Sequence, residues 1–238
     1  MKYMIHSCNS RQWYVDNFLV PSMIEQGINE EDIYVYQDIE CKGNLRAFIE
    51  SCKKVIELWG LEERVWHLQD DVLIASYFKC HTEKLASNNI YLQYLCICGF
   101  TTDYDDNRPS GPGLAEKDMW YSFPCIMIPN ELLKKFIDWY DVWVERDPQF
   151  GFWVRQKKGD DFIFRVYVES FFPSAPILNV APNLVEHIDY MIGGTIVNSQ
   201  RKMKSVRSLY WDENDLVNEL MDKIVKYKEE HKDDFNNR

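Results

Sequence analysis

Two adjacent carboxylates, Asp70 and Asp71, carry the clearest chemical signal in the sequence because of where they stand. They directly follow a short apolar run at residues 65–68 that is typical of a buried strand. A buried strand has no structural reason to end in two charges, whereas carboxylates on a sharp turn can chelate a hard divalent cation such as Mg²⁺ or Mn²⁺. Phosphate oxygens would then complete the ligand set of the cation. A solvated surface turn is the alternative interpretation of this pair.

Three later residues could complete such a site. His187 is flanked by apolar residues, and its imidazole could share the cation with the Asp pair; a hydrogen-bonded core histidine is the alternative. Asp160 and Asp161 precede an apolar run at residues 162–172, which could be a buried helix or a strand. If that run is helical, Asp160 is expected at its N-cap. The functional alternative is a general base that deprotonates an acceptor hydroxyl.

A basic segment follows Gly193 and Gly194 in a chain that is otherwise acidic. Four cations stand within seven residues there, namely Arg201, Lys202, Lys204 and Arg207. They could close over a diphosphate, with the glycines as a hinge. A solvated basic loop is the alternative interpretation.

Strands and helices are predicted to alternate over the first 100 residues. The strands are expected at residues 3–5, 32–39, 65–68 and 90–100, and the helices at 18–24, 44–59 and 76–86. This order predicts a mostly parallel sheet with helices on both faces. Ligands bind beyond the carboxyl ends of the strands in such sheets. A site is therefore expected in the loops after the first three strands, at residues 9–11, 37–43 and 69–71.

The second half of the chain is less regular. A long loop is expected at residues 101–113, a helix at 131–144, a short strand-like run at 184–188 and a last amphipathic helix from about Glu213. Neither an internal repeat nor a convincing linker divides the chain. The sequence therefore predicts a single α/β domain over residues 1–238.

Composition restricts the classes of function. The chain has 238 residues, of which 46% are hydrophobic and 27% charged, as in a soluble globular protein that can bury its own core. Its net charge of −11 disfavours binding to nucleic acid or to an anionic membrane. No apolar run reaches the roughly 18 residues of a membrane span, and the N-terminus does not read as a signal peptide. The seven cysteines contain no CxxC pair and are expected to be reduced and mostly buried in a cytoplasmic protein.

Several familiar motifs are absent from the sequence. There is no GxGxxG after the first strand, no P-loop and no GxSxG. A Rossmann dehydrogenase, a P-loop kinase and an α/β-hydrolase are therefore disfavoured.

Taken in order, these segments resemble a GT-A-fold glycosyltransferase, and more closely a group of small bacterial and phage glycosyltransferase-like proteins. The resemblance covers roughly residues 1–210 and is carried by residues 5–11, 43–47, 66–72, 120–129 and 182–189. It implies a Rossmann-like, mostly parallel sheet flanked by helices. It also implies a nucleotide-sugar-binding half at residues 1–100, an acceptor-side half at 101–190, and a flexible loop with a C-terminal helix at 191–238.

The resemblance also implies roles for the metal and donor residues. Asp70 and Asp71 match the DxD-type motif of the family, in which Gln69 takes the place of the first acidic residue. Asp71 is the implied metal ligand, with Asp70 beside it, and His187 matches a late histidine that is often the third protein ligand. The nucleotide would be lined by Asn9, Arg11, Asp38 and Asn44, and the flexible loop with Arg201 and Lys202 would fold over the donor.

On the acceptor side, the resemblance makes Asp161 the general base, as the second member of an acidic pair with Asp160. Acceptor specificity is expected in the loop at residues 101–113 and at three tryptophans that could stack on sugar faces, Trp120, Trp143 and Trp153.

The implied reaction is transfer of a sugar from a nucleotide sugar, expected to be a UDP-sugar, to a hydroxyl acceptor, with inversion and with Mn²⁺ or Mg²⁺ as cofactor. The acceptor could be a glycan, a protein or a small molecule. Two alternatives stay open at this point. One is a metal-dependent nucleotidyltransferase, which would release pyrophosphate from a nucleoside triphosphate. The other is a non-catalytic protein that binds a glycan or a partner on the same fold.

Overall fold

The fold is seen in a computed structural model that describes residues 1–100, 111–114, 123–144, 159–181, 183–192 and 213–232. Its described strands are β1 (Lys2–Cys8), β2 (Ile33–Asp38), β3 (Arg64–Gln69), β4 (Val72–Ile74), β5 (Ile97–Cys98), β6 (Gly111–Leu114), β7 (Cys125–Pro129), β8 (Leu178–Ala181) and β9 (Val185–His187).

The described helices begin with α1 (Gln12–Tyr14), which continues through a π-helical turn (Val15–Leu19) into α2 (Val20–Glu25). The others are α3 (Asn44–Trp59), α4 (Phe78–Ser87), α5 (Asn130–Trp139) with a π-helical turn at Tyr140–Val144, α6 (Asp160–Phe171), α7 (Asp189–Ile192) and α8 (Glu213–Glu230). Short 3₁₀ turns lie at Glu30–Asp32 and Tyr91–Gln93. None of the described helices combines the length and the apolar composition needed to cross a membrane.

A mixed, mostly parallel sheet forms the centre of the molecule, as predicted. The described strands give a seven-stranded sheet in the order β2-β1-β3-β7-β5-β8-β6, in which all but β7 and β6 run in the same direction. A second, two-stranded sheet pairs β4 with β9. The strands β1, β2 and β3 are neighbours and parallel, so their carboxyl ends lie at one edge.

Helices cover both faces of the large sheet because alternate strand residues point to opposite sides. Trp66 and Leu68 of β3 face a core that also contains Trp13 and Phe78. On the other face, α3, α5 and α6 enclose a core rich in aromatic side chains, with Phe48, Phe123, Phe136 and Phe164. The apolar spacing of α3 predicted this helix from Asn44 to Trp59, and the structure confirms it.

One strand prediction was wrong. Residues 90–100 were expected to form one strand, but the structure has a 3₁₀ turn at Tyr91–Gln93 and only the two-residue strand β5. The cause is Asn88, whose side-chain Oδ1 accepts a hydrogen bond from the Ile90 backbone N–H at 2.9 Å and whose carbonyl accepts one from Tyr91. Such an Asx turn competes with an extended chain.

The strand β7 was not predicted either. It runs antiparallel between β3 and β5, and four of its five residues are buried. A short run that is apolar on both faces carries no alternation, so its sequence does not distinguish a strand from a buried helix.

All seven cysteines fall within the described residues and are free. Cys52, Cys96, Cys98 and Cys125 are buried, as expected for small apolar side chains, whereas Cys41 and Cys80 are exposed.

Gly99, the residue after β5, lies in a closely packed part of the structure. A Cβ atom at this position would lie 2.7 Å from the Sγ of Cys125 and 3.1 Å from a methyl carbon of Leu184. We expect Gly99→Ala to lower the free energy of unfolding by about 2 kcal/mol, because overpacking forces backbone and side-chain shifts. Urea denaturation measures the change.

Gly113 supplies the matched control, since a Cβ atom there meets no atom of the described residues within 4 Å. The variant Gly113→Ala should leave stability within about 1 kcal/mol of the wild type. Equal effects of the two substitutions would contradict the close packing at Gly99.

Candidate functional site

Three predicted site loops meet at one edge of the sheet. The strands β1, β2 and β3 end at Cys8, Asp38 and Gln69, and their registers pair Cys8 with Asp38 and His6 with Gln69. The three strands therefore end close to one another along the sheet. This geometry brings Arg11, Asp38 and the Asp pair to the same end of the molecule.

A buried ion cluster forms between the first and third loops. The Nη1 of Arg11 donates hydrogen bonds to Asp70 Oδ1 at 2.8 Å and to Asp71 Oδ2 at 2.5 Å. The backbone N–H of Cys8 donates to the other oxygen of Asp70 at 2.8 Å. All three charged side chains are at most 10% exposed. The solvated turn that was the alternative for this pair is therefore not what the structure contains.

His187 joins this cluster from a distant part of the chain. The antiparallel pairing of β4 with β9 sets Val72 opposite His187, and the Ile188 N–H donates to the carbonyl of Asp71 at 2.8 Å. As a result His187 Nε2 lies 3.2 Å from Asp71 Oδ2. On the opposite side of the ring, Nδ1 lies 3.4 Å from Asp189 Oδ1.

The electrostatics of the pair follow from these contacts. Burial alone would lower the pKa of His187, but the hydrogen bond and the charge of Asp71 outweigh it, so the pKa is raised. Burial likewise pushes the pKa of Asp71 upward, and His187 with Arg11 reverses this to a net decrease. Asp70 behaves differently, because burial and the adjacent charge of Asp71 raise its pKa despite Arg11.

Asp71 and His187 fit a divalent cation as a two-ligand site. Two atoms bound at right angles to one ion, at about 2.1 Å each, lie about 3 Å apart, and the observed separation of Nε2 and Oδ2 is 3.2 Å. Asp189 stands on the far nitrogen of the ring, where a carboxylate typically orients a metal-binding histidine. In addition, Asp71 Oδ1 is buried without a hydrogen-bond partner among the described residues.

The described residues offer this site only a small set of protein ligands. Within the described ranges, no group of three or more His, Cys, Asp or Glu side chains is placed to hold a metal ion. A Mg²⁺-type ion usually keeps several waters and binds through one or two protein groups plus substrate phosphates. The arrangement therefore suits an ion that arrives with a phosphate-bearing ligand.

A cavity of about 700 Å³ opens beside the cluster. Three residues expected to line a nucleotide, Asn9, Asp38 and Asn44, do line this cavity, together with amide side chains such as Gln12 and Gln37. No Lys, Arg or His is among the described residues that form its wall. Arg11 bonds instead to the Asp pair, so its positive charge lies in the cluster and not among the described residues of the cavity wall.

Asp38 shapes the cavity rather than presenting a free carboxylate. Its two oxygens accept hydrogen bonds from the backbone N–H groups of Lys42 at 3.0 Å and Gly43 at 3.2 Å. These bonds hold a loop in which Cys41 and Gly43 both have positive φ. Asn9 is tied down too, because its Oδ1 accepts a hydrogen bond from Gln37 Nε2 at 2.8 Å.

The C-terminal helix α8 contributes an aromatic wall that the sequence did not indicate. Tyr227 lines the cavity and stacks on Trp13 with ring centroids 5.4 Å apart. Asn17 Nδ2 donates to the Tyr227 hydroxyl at 3.1 Å, and Lys228 Nζ lies 5.4 Å from the Trp13 ring. Asp189 was missed as well, although it stands only two positions after His187.

The acidic pair at the start of α6 differs from its prediction in one detail. Gly159 is the N-cap and Asp160 is the first helical residue, so Asp160 does not cap the helix as expected. A Cβ atom at position 159 would lie 2.5 Å from Asp161 Oδ1, which explains the glycine. That oxygen accepts a hydrogen bond from the Phe162 N–H at 2.6 Å.

Asp160 is only 5% exposed, and its environment is unusual for a carboxyl group. Burial raises its pKa to about 7, and the charges of Asp161 and Asp71 add to the increase. Burial also raises the pKa of Asp161, which remains more exposed.

Other predicted residues lie outside the described part of the chain. These are the basic residues Arg201, Lys202, Lys204 and Arg207, the hinge at Gly193 and Gly194, residues 101–110 of the acceptor loop, and Trp120 and Trp153. The side chain of Trp143 is not described.

No protein-family model matches the chain, and the curated proteins contain no match either. Among solved structures, the chain is similar to the inositol-1-phosphate CTP transferase from T. maritima. The sequence identity is 14%, the TM-score is 0.42, and the match covers 92% of this chain and 75% of the other. At this similarity, the activity of that enzyme does not transfer to this chain.

The pKa of Asp160 makes a testable contribution to stability. Because about 7 is above the ordinary value of 3.8, the folded state keeps a proton that the unfolded state releases between these pH values. The free energy of unfolding therefore falls as the pH rises through this window. The variant Asp160→Asn has no carboxyl group here to titrate, so it does not lose this stability. The free energy of unfolding of the variant minus that of the wild type should therefore increase by roughly 2.5 kcal/mol from pH 5 to pH 8.

Urea denaturation at the two pH values measures this difference. The control is Asp138→Asn, which changes an exposed carboxylate on α5. A stability difference for Asp160→Asn that changes no more with pH than the difference measured for the control would contradict the raised pKa of Asp160.

Proposed function

We propose that this protein transfers a sugar from a nucleoside-diphosphate sugar to a hydroxyl acceptor, with a divalent cation as cofactor. The observation that carries the proposal is the approach of His187 Nε2 to within 3.2 Å of Asp71 Oδ2, beside a cavity lined by Asn9, Asp38 and Asn44. The family resemblance of the sequence assigns the same residues to the cation and to the nucleotide.

The positions of charged and uncharged groups in the site suggest the orientation of the donor. The cavity offers amide groups and the aromatic pair of Trp13 and Tyr227, which suit a base and a ribose rather than phosphates. Positive charge is concentrated instead at Arg11, next to Asp71 and His187. The diphosphate of the donor therefore belongs on the cluster side, and its uncharged nucleoside belongs in the cavity.

The cluster could support departure of the nucleoside diphosphate. Asp71 and His187 would hold the cation, which when bound supplies positive charge to the phosphate oxygens as the bond to the sugar breaks. Asp189, whose Oδ1 lies 3.4 Å from Nδ1 of His187, is the carboxylate placed to orient that imidazole. Arg11 would add a second source of positive charge.

Deprotonation of the acceptor hydroxyl needs a base, and the acidic pair of α6 is the candidate. A general base works best when its pKa lies near the working pH. Asp160, with a pKa of about 7, meets this condition. Asp161 is more exposed and uses one oxygen on the Phe162 N–H. We therefore place the base at Asp160, in preference to the Asp161 implied by the resemblance.

Nucleotidyl transfer is the second candidate, because the cluster and the cavity would equally suit a nucleoside triphosphate. In that reaction a phosphate acceptor is already ionised and needs no base. A carboxyl with a raised pKa that could act as a base fits a hydroxyl acceptor, which glycosyl transfer requires and nucleotidyl transfer to a phosphate does not.

The assay that separates these functions measures the released product. The protein is incubated with Mn²⁺ and a panel of nucleotide sugars, and we expect it to release a nucleoside diphosphate. Slow hydrolysis of the donor should release this product even when no acceptor is present. The variant Asp71→Asn should lower this rate at least about 100-fold, since the cation loses a charged ligand. Asp138→Asn serves as the control and should retain wild-type activity.

Two other results would redirect the assignment. Pyrophosphate release from nucleoside triphosphates, with no turnover of nucleotide sugars, would establish nucleotidyl transfer. The absence of both activities, together with no binding of nucleoside diphosphates, would favour the non-catalytic alternative.

The placement of the base predicts a difference between two neighbouring variants. Asp160→Asn should lower kcat about 100-fold or more, the usual contribution of a general base, with little change in donor binding. In the wild type, kcat/KM should rise with pH to a plateau above about 7, where Asp160 of the free enzyme is ionised. This dependence should disappear in the residual activity of Asp160→Asn.

Asp161→Asn, the adjacent control, should change kcat less than about 10-fold. A larger loss in Asp161→Asn than in Asp160→Asn would instead move the base to Asp161.

A further inference from the structure

Arg11 stands in the position that a cation would need. Its Nη1 bonds to Asp71 Oδ2, the same oxygen that lies 3.2 Å from His187 Nε2. It also bonds to Asp70 Oδ1. A divalent ion bound to Asp71 through this oxygen, next to His187, must therefore share it with a guanidinium or displace it.

The charges of the cluster disfavour an ion that arrives alone. Arg11 already neutralises one of the two carboxylates within a site that is at most 10% exposed. A divalent ion entering beside a fixed guanidinium would gain one carboxylate and suffer repulsion from the guanidinium, with little solvent to screen it. The free protein is therefore poorly suited to bind the ion by itself.

The position of Arg11 suggests what would release it. Arg11 ends the short loop after β1, and the cavity is lined by Cys8 at the end of that strand and by Asn9 and Ser10 of the loop. A ligand seated in the cavity would place its charged end next to the guanidinium. A guanidinium binds phosphate oxygens through paired hydrogen bonds at least as well as it binds carboxylates.

We propose that Arg11 is a counter-ion that makes cation binding conditional on the nucleoside diphosphate. Without nucleotide, Arg11 occupies the Asp pair and the cation binds weakly. When the diphosphate arrives, Arg11 turns to the phosphate oxygens, and Asp71 becomes available to the ion. Arg11 is in this sense a positioning residue that sets the order of binding. The inference rests on the proposed function, because it assumes a diphosphate ligand in this site.

The test measures Mn²⁺ binding directly, by electron paramagnetic resonance of the free ion, in the full chain. We expect weak binding to the wild type alone and at least about tenfold tighter binding in Arg11→Gln, which removes the competing charge. Addition of UDP should tighten Mn²⁺ binding to the wild type at least about tenfold, after correction for the complex formed in solution. In Arg11→Gln this enhancement by UDP should shrink to below about threefold. The reason is that the coupling between UDP and Mn²⁺ is proposed to depend on Arg11, which the variant lacks.

Arg46→Gln is the matched control, since it removes the same charge from an exposed position on α3. It should leave both Mn²⁺ affinities unchanged. Circular dichroism checks that Arg11→Gln folds. If it does not fold, Arg11→Lys replaces it; a lysine keeps the charge without the fork and should show an intermediate enhancement by UDP.

The possible failures can be told apart. Two results would overturn the role of Arg11: a Mn²⁺ affinity in Arg11→Gln that equals that of the wild type, or an enhancement by UDP that is equal in the two proteins. If UDP still binds in these cases, the proposed function stands. Absence of UDP binding to the wild type overturns the proposed function and, with it, this inference.

Discussion

The site depends on the pairing of two very short strands. The contact between β4 and β9 brings His187 to Asp71, and a backbone hydrogen bond from Ile188 to Asp71 holds the two segments together. Without this pairing, the buried carboxylate of Asp71 would lose His187 and keep its bond to Arg11. Because an uncompensated buried charge is costly, formation of the site and folding of this edge of the protein are coupled.

Around that contact, the molecule separates a charged cluster from a polar cavity. Arg11 is the link between them, since it belongs to the loop whose other residues line the cavity while its side chain bonds to the Asp pair. The helix α8 adds the stacked ring of Tyr227 from the far end of the sequence. A ligand that spans both parts would contact segments from nearly the whole chain.

The first half of the fold was predictable because its signals are local. Apolar residues spaced three and four apart identified α3, and the alternation of strands with helices indicated a parallel sheet. The antiparallel strand β7 was not predicted, since its buried residues show no alternation. The region from 90 to 100 was misassigned because one side chain, that of Asn88, forms a turn in an apolar stretch.

The sequence by itself determined which kinds of side chain stand at the carboxyl ends of the first three strands, because the order of elements and the direction of parallel strands are local properties. Only the tertiary structure decided how those side chains are used. It set Arg11 on Asp70 and Asp71, tied Asp38 to its own loop, and buried Asp160. Charge state, hydrogen bonding and burial depend on distances between segments far apart in the chain, and no local pattern of residues encodes those distances.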